Sequence, residues 1–131
     1  MRILLDTSAF VWSLDQREKL NNAAQRILQE GDQEIFLSAV SSWEIVIKWF
    51  LGKLKLPKAP AELIPEALAR FPVQPLAVTH NHSLAVAELP RHHNDPFDRM
   101  LIAQARSEKL VLMTADPVFE KYSVKTFWCG K

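Results

Sequence analysis

Four acidic residues lie at points where the sequence passes between strand-like and helix-like segments. Asp6 follows the apolar "RILL", Glu44 lies within "SSWEIVIKWF", Asp98 lies within "DPFDRMLIAQA" and Asp116 comes just after "LVLMT". Crowded carboxylates repel one another, so proteins tolerate such clusters mainly where a cation neutralises them. Oxygen ligands favour Mg²⁺ or Mn²⁺, and Mg²⁺ commonly meets a phosphate at a partly open carboxylate site. If the fold brings the four acids together, they predict a metal site for chemistry on a phosphate.

Each of these acids also has a structural explanation. Asp6 could cap the helix that follows it. Glu44 and Lys48 are four residues apart, which is the spacing of a helix-stabilising ion pair. Asp116 precedes Pro117 and could form an Asx turn. The position of each acid alone therefore does not decide between a structural and a chemical role.

Two acids lie close together at the start of the "DPFDRMLIAQA" segment. Asp95 is suitable as the N-cap of a helix, Pro96 as its first residue and Asp98 as its third. This arrangement is typical of a capping box and needs no metal. Position alone therefore does not decide whether Asp95 and Asp98 form a helix cap or part of a metal site.

The elements that would position these acids alternate along the chain. The patterns predict strands at 2–5, 34–38, 73–78, 110–114 and 123–127. They predict helices after Ser8 and at about 15–31, 39–52, 61–71, 79–89 and 95–108. Asp15 and Glu18 form a capping-box pattern at the start of the second helix, and Gly31 marks its end.

This alternation of strands and helices indicates βαβ crossovers, which place the strands in one parallel sheet. The predicted class is α/β, with helices on both faces of the sheet in three layers. The 131 residues fit a single domain, 1–131. Functional groups of open parallel sheets gather outside the carboxyl ends of the strands. Asp6 and Asp116 would lie there directly, and Glu44 and Asp98 close to the same edge.

Composition excludes several classes of protein. No apolar run reaches the roughly 18 residues that a membrane helix needs. Cys129 is the only cysteine, which excludes an internal disulfide and a thiolate zinc cluster. "MRILLDTSAF" lacks the layout of a secretory signal, so we expect a cytoplasmic protein that does not enter membranes. The net charge of +1 does not decide for or against a nucleic-acid partner, because the local distribution of charge matters more.

Four segments in order resemble a PIN domain, and specifically the VapC-type toxins of bacterial VapBC toxin–antitoxin pairs. They are "LLDTSAFVW", "WEIVIKWFLGKL", "DPFDRMLIAQA" and "LVLMTADPVF". The resemblance covers nearly the whole chain. It implies a PIN-like α/β/α sandwich with a five-stranded parallel sheet and a Mg²⁺-dependent endoribonuclease, with Mn²⁺ as an alternative ion. It also implies a cognate VapB-type antitoxin and a homodimer.

The resemblance also implies roles for individual residues. The metal ligands and catalytic acids that it implies are Asp6, Glu44, Asp98 and Asp116. The polar side chains that would support them are Thr7, Ser8 and Thr114. Asp98 fits the family pattern of an acid followed by an apolar stretch, here "DRMLIA". Asp95 departs from that pattern and stays a candidate catalytic acid: it could be an accessory acid beside Asp98, the ligand in its place, or only the helix cap.

Basic residues are concentrated near two of the acids. Lys48 and Lys53 follow the second acid, and Arg99 adjoins the third. These three side chains could contact the phosphate backbone of RNA, or the lysines could belong to a solvated helix end. The adjacent His92 and His93 lie on a polar connection, where we expect exposed side chains rather than metal ligands.

Aromatic residues are concentrated in and near the first and third helices. They are Phe10, Trp12, Trp43, Trp49 and Phe50. We expect most of them in the core, because aromatic side chains bury large apolar areas. Some could instead form an apolar groove that receives a partner helix.

Two other functions are compatible with parts of this pattern. A phosphotransferase could carry a phosphorylated Asp6, but the haloacid-dehalogenase pattern has a second aspartate where this chain has Ser8. A PIN-like module could bind RNA or a protein partner without cutting. Metal-dependent cleavage would separate the nuclease from that module, and phosphate trapped on Asp6 would identify the phosphotransferase.

Overall fold

Five parallel strands form the centre of the computed structural model, which describes residues 1–131. The strands are β1 (Arg2–Leu5), β2 (Glu34–Ser38), β3 (Val73–Leu76), β4 (Val111–Thr114) and β5 (Thr126–Trp128). They pair in the order β3-β2-β1-β4-β5, and all four pairings are parallel. The predicted α/β class with a five-stranded parallel sheet is confirmed. The last strand begins three residues later than the sequence pattern predicted.

Six α-helices cover the two faces of this sheet. They are α1 (Thr7–Asp15), α2 (Asn22–Glu30), α3 (Ala39–Phe50), α4 (Pro60–Arg70), α5 (His80–Ala85) and α6 (Pro96–Glu108). Short 3-10 helices occupy Arg17–Lys19, Val86–Glu88 and Pro117–Lys121. Successive side chains of a strand point to opposite faces, so Ile3 and Leu5 belong to one apolar cluster and Leu4 to the other. No helix combines the length and the apolar character that crossing a membrane requires.

The start of α2 differs from the sequence prediction. Asp15 does not cap this helix; it is the last residue of α1. The N-cap is Asn21, whose side chain accepts a hydrogen bond from Ala24 N at 2.9 Å. The amide nitrogen of Asn21 also donates to the carbonyls of Trp128 and Gly130. The prediction that Asp15 caps this helix was wrong. Asn21 is held at the N-cap by its contacts with the distant end of the chain, which local spacing does not reveal.

The strand register sets the geometry of the candidate site. Leu5 lies opposite Met113 in the pairing of β1 with β4, so the next residues of the two segments, Asp6 and Thr114, are neighbours. Strand β2 pairs with the other side of β1 and leads directly into α3 through Ser38, which caps that helix. The first turns of α1 and α3 therefore meet at the carboxyl edge of the sheet.

Several aromatic residues lie outside the core. Phe10 is buried, but Trp43 is 60% exposed, Phe50 is 81% exposed, and Trp49 is also exposed. The buried face of α3 consists of Val40, Ser41, Glu44 and Ile45. The expectation that most of the aromatic residues are core was wrong, because helical spacing reveals a stripe of apolar residues but not what the stripe faces.

Candidate active site

A cavity of about 340 Å³ opens at the carboxyl edge of the sheet. Its lining includes Asp6, Thr7, Ser8, Trp12, Glu44, Lys48, Asp95, Asp98, Ala115, Asp116, Pro117 and Phe119. All five acids singled out from the sequence are in this set. The fold therefore brings together acids that are up to 110 positions apart in the chain.

Asp6 is the most deeply buried aspartate of the cavity. It is the N-cap of α1, and its Oδ1 accepts a hydrogen bond from Ala9 N at 2.6 Å. Thr114 Oγ1 donates to the second oxygen, Oδ2. Burial raises the pKa of Asp6 from 3.8 to about 6, and the nearby charges of Asp116 and Glu44 act in the same direction, against the two hydrogen bonds. Neutralisation by a bound cation would relieve this penalty on the charged carboxylate.

Glu44 is buried on the inward face of α3. Its Oε1 accepts a hydrogen bond from Thr7 Oγ1 at 2.6 Å, and its Oε2 pairs with Lys48 Nζ at 2.5 Å. Ser41 Oγ lies 3.0 Å from Thr7 Oγ1 and extends this network. The predicted ion pair of Glu44 and Lys48 is thus present, and it lies in the cavity rather than on a remote surface. The lysine charge offsets part of the repulsion between Glu44 and the other acids.

Asp95 and Asp98 have different surroundings. Asp95 is the N-cap of α6, and its Oδ1 accepts from Asp98 N at 2.9 Å. The Asp98 side chain does not complete the capping box; its Oδ2 lies 3.2 Å from His93 Nε2. Burial and the charge of Asp95 raise the pKa of Asp98 to about 6, although the hydrogen bond with His93 opposes the shift. Both acids line the cavity, but only Asp95 is committed to capping the helix.

Asp116 and Ser8 lie at the outer part of the cavity. Asp116 is exposed, and its Oδ1 accepts from Val118 N at 3.0 Å, which is the Asx turn that the sequence allowed. Its main-chain N–H donates to Thr114 Oγ1 at 3.0 Å, so Thr114 connects Asp116 to Asp6. Ser8 is exposed on the first turn of α1. Of the three predicted supporting residues, Thr7 and Thr114 contact the acids directly.

The three candidate RNA contacts occupy different places. Lys48 lines the cavity, and Lys53 is exposed beyond the end of α3. Arg99 is not part of the cavity lining; its guanidinium donates to main-chain carbonyls, the shortest contact being 2.8 Å to Pro90 O. His92 is exposed as expected, whereas His93 is half-buried between two polar partners.

The donor set fits a hard divalent cation. Every acidic side chain of the cavity offers oxygen, and no cysteine lines it. No three acidic, histidine or cysteine side chains converge tightly enough to ligate one ion directly. Mg²⁺ usually binds one or two carboxylates and keeps several waters, so an open acidic cavity of this kind suits it without a closed cage of side chains.

Sequence reasoning missed three contributors to this site. Ser41 is fully buried beside Thr7, and Trp12 forms part of the cavity wall. His93 contacts Asp98 and Tyr122, which is 29 positions away in the chain. A short polar residue on the buried face of α3 was a usable signal for Ser41, but the contact of His93 with Tyr122 has no local pattern.

Comparison with known proteins identifies relatives of this chain. The sequence model of the PIN domain family matches residues 3–125. Ribonuclease VapC16 from Mycobacterium tuberculosis (strain ATCC 25618 / H37Rv) is 40% identical over 62 residues. That match covers 47% of this chain and 44% of the relative, so it spans less than half the length of either protein.

Solved structures share the fold at low sequence identity. VapBC2 from Rickettsia felis, bound to a DNA fragment from its promoter, superimposes with a TM-score of 0.75 at 14% identity, over 98% of this chain and 99% of the other. DNA-bound VapBC from Salmonella typhimurium gives a TM-score of 0.71 at 18% identity, over 97% of each chain. FitAcB from Neisseria gonorrhoeae gives 0.64 at 20% identity, over 96% of each chain.

Proposed function

The chain belongs to the PIN domain family, and from this premise we propose that it is a divalent-metal-dependent endoribonuclease, the toxin of a VapBC-type toxin–antitoxin pair. The observation that carries the proposal is the convergence of Asp6, Glu44, Asp98 and Asp116 on one cavity that also holds Lys48. The relative named as a ribonuclease supports the activity. Neighbours described as VapBC assemblies support the toxin role.

The candidate ligands of Mg²⁺ or Mn²⁺ are Asp6, Glu44, Asp98 and Asp116, some of them acting through water. A bound ion would lower the pKa of a water molecule and offset negative charge on the scissile phosphate. Asp95 is a further acid at the rim, where its free carboxylate oxygen can accept a hydrogen bond while Oδ1 caps α6. The buried Asp6 must be ionised to serve as a ligand, so the ion and the carboxylate charge stabilise each other.

The remaining side chains prepare the cavity for a phosphodiester. Thr7 and Thr114 hold carboxylate oxygens of Glu44 and Asp6, which limits their rotation before substrate arrives. Lys48, beside Glu44, could contact a phosphate of the RNA backbone. The exposed Lys53 would extend the positive charge along the path of the RNA. No covalent nucleophile is required: water would attack the phosphorus, the P–O3′ bond would break and O3′ would leave as a hydroxyl. Hydrolysis in this direction leaves a 5′-phosphate and a 3′-hydroxyl, which end-labelling of the products can check.

Two protein partners complete the proposal. A VapB-type antitoxin would restrain the activity, in line with the assemblies named for the structural neighbours. A second copy of the chain would cover the exposed side of α3, where Trp43, Val46 and Phe50 form a stripe at three- and four-residue steps. Such a stripe is self-complementary when two identical helices pack across a twofold axis.

Cleavage of a mixed pool of structured RNAs tests the function. Wild-type protein should cut RNA with Mg²⁺ and lose the activity in EDTA, and Asp6→Asn should also lose it. The matched control is Asp15→Asn, which makes the same change at an exposed residue outside the cavity and should cut like wild type. If Asp6→Asn cuts as well as wild type, the nuclease assignment fails. A wild-type protein that binds RNA but never cuts it would instead favour the non-cutting PIN-like module.

A further inference from the structure

A chain of hydrogen bonds links Asp98 to residues that do not line the cavity. Tyr122 Oη lies 2.6 Å from His93 Nδ1, and His93 Nε2 lies 3.2 Å from Asp98 Oδ2. Tyr122 is buried, and the His93 side chain is only 19% exposed. These hydrogen bonds connect Tyr122, just after the last 3-10 helix, with His93 in the loop before α6 and with Asp98 in the first turn of α6. His93 therefore connects the distant Tyr122 to one oxygen of the Asp98 carboxylate.

The donors around Tyr122 set the direction of this chain. The phenol oxygen accepts from Arg99 Nη1 at 3.2 Å and from the main-chain N–H of His93 at 3.3 Å. With these two donors on the oxygen, its own proton is left to be donated to His93 Nδ1. A neutral imidazole that accepts at Nδ1 carries its proton on Nε2, and Nε2–H then donates to Asp98.

Arg99 anchors the whole arrangement. Besides Tyr122, its guanidinium donates to Pro90 O at 2.8 Å and lies 3.4 Å from the carbonyls of Val86 and Leu89. These bonds fasten the segment that precedes His93 to the body of α6. A planar guanidinium with several donors in fixed directions suits such a role. We therefore assign Arg99 to the framework of the site, in addition to its sequence-based candidacy as an RNA contact.

We propose that His93, oriented by Tyr122 and Arg99, is a positioning residue that fixes the Asp98 carboxylate for metal binding. The proposal rests on the proposed function, in which Asp98 is a ligand. His93 Nε2 contacts Oδ2 of Asp98, whereas Oδ1 of Asp98 accepts no hydrogen bond within the chain, and the residue lines the cavity. A carboxylate that is held in place loses less rotational freedom when an ion binds. Removal of the side chain that holds a metal ligand therefore weakens metal binding.

Titration of the protein with Mn²⁺ alone, by calorimetry and without RNA, tests this role. His93→Phe keeps an aromatic ring but removes both hydrogen bonds, and its Mn²⁺ affinity should fall about 10- to 100-fold. His93→Gln retains one acceptor and one donor and should recover most of the affinity. The matched control is His92→Phe, the same change at the adjacent exposed residue, whose ring has no hydrogen bond and packs edge-on against Tyr122; its affinity should equal that of wild type.

A second measurement separates positioning from a general effect on folding. The ¹⁵N chemical shifts of the His93 imidazole, measured by NMR, should show the Nε2–H tautomer in wild type. Tyr122→Phe should lose the preference for that tautomer. An Nδ1–H tautomer in wild type would overturn the proposal. Melting temperatures without metal show whether each variant is folded. If wild type binds Mn²⁺ and folded His93→Phe binds it equally well, the positioning role alone is refuted. Wild type that binds no Mn²⁺ would refute the proposed function and this role together.

Discussion

Thr7 Oγ1 donates a hydrogen bond to Glu44 Oε1 across 2.6 Å, although the two residues are 37 positions apart. Both side chains are buried, and the bond joins the first turn of α1 to the inward face of α3. It exists because β1 and β2 are adjacent and parallel, so the helices that follow them start at the same edge. A helix residue that would otherwise form a surface ion pair thereby becomes part of the acidic cavity.

Loss of this bond should weaken the site more than the fold. Thr7→Val keeps the side-chain shape but removes the donor, so the Glu44 carboxylate is held by Lys48 alone. We expect Mn²⁺ affinity to fall about 10-fold and the free energy of unfolding to fall by about 1 kcal/mol. Calorimetric titration and urea unfolding measure the two quantities. Thr126→Val is the matched control, because no hydrogen bond of its side chain is present and it lies at the start of β5.

The stability of the metal-free protein should fall as the pH rises. The pKa of Asp6 is raised from 3.8 to about 6 by burial, so folding favours the protonated carboxyl group. Its contribution is complete below about pH 4 and is lost as the pH rises through about 6, a difference of roughly 3 kcal/mol. Asp98, whose pKa is also raised to about 6, acts in the same direction.

The comparison of wild type with Asp6→Asn isolates this effect. The variant keeps a capping acceptor but never carries the charge. Above about pH 7 the metal-free variant should be more stable than wild type, and below about pH 4 the two should be equal. Urea unfolding across this range measures the difference, and excess Mg²⁺ should stabilise wild type selectively. A difference that is the same at every pH would contradict the role of the buried charge.

Asp95 and Asp98 should respond differently to the same substitution. Asparagine caps helices about as well as aspartate, so Asp95→Asn should leave the melting temperature nearly unchanged and retain most of the RNA cleavage. Asp98→Asn removes the charge of a proposed metal ligand, and cleavage should fall by at least about 100-fold. Initial rates of RNA cleavage in Mg²⁺ compare the pair. The reverse order of effects would make Asp95 the ligand and Asp98 the supporting acid.

Much of the fold can be predicted from local sequence patterns, whereas the contacts of individual side chains in the site cannot. The strands at 2–5 and 34–38 were predicted with their observed bounds, because short apolar runs between polar turns mark buried parallel strands. Placement of the acids at one edge followed from the parallel topology. The roles of single oxygens did not follow, because Asp6, Asp95 and Asp116 each cap a helix and line the cavity at the same time.

Several contacts that sequence reasoning missed join residues far apart in the chain. Nothing near Asp15 reveals that Asn21 contacts the carbonyls of Trp128 and Gly130. In the same way, the sequence around His93 indicates an exposed loop residue, and its contact with Tyr122 is visible only in the structure. Spacing along a chain determines which residues share a helix face, whereas the partner of that face is decided by the packing of distant segments.

The outward stripe of α3 gives the last prediction, which concerns self-association. Phe50 is 81% exposed and Trp43 60%, and Trp43 packs edge-on against Phe97 at a centroid distance of 5.4 Å. Exposed apolar side chains grouped on one helix face in this way mark an interaction surface. Because we propose that a second copy of the chain covers this stripe, we expect wild type to be a dimer and Phe50→Ser a monomer in sedimentation equilibrium. Leu84→Ser, the same type of change at a 72% exposed residue on α5, should leave the dimer intact; equal behaviour of the two variants would move the dimer contact away from α3.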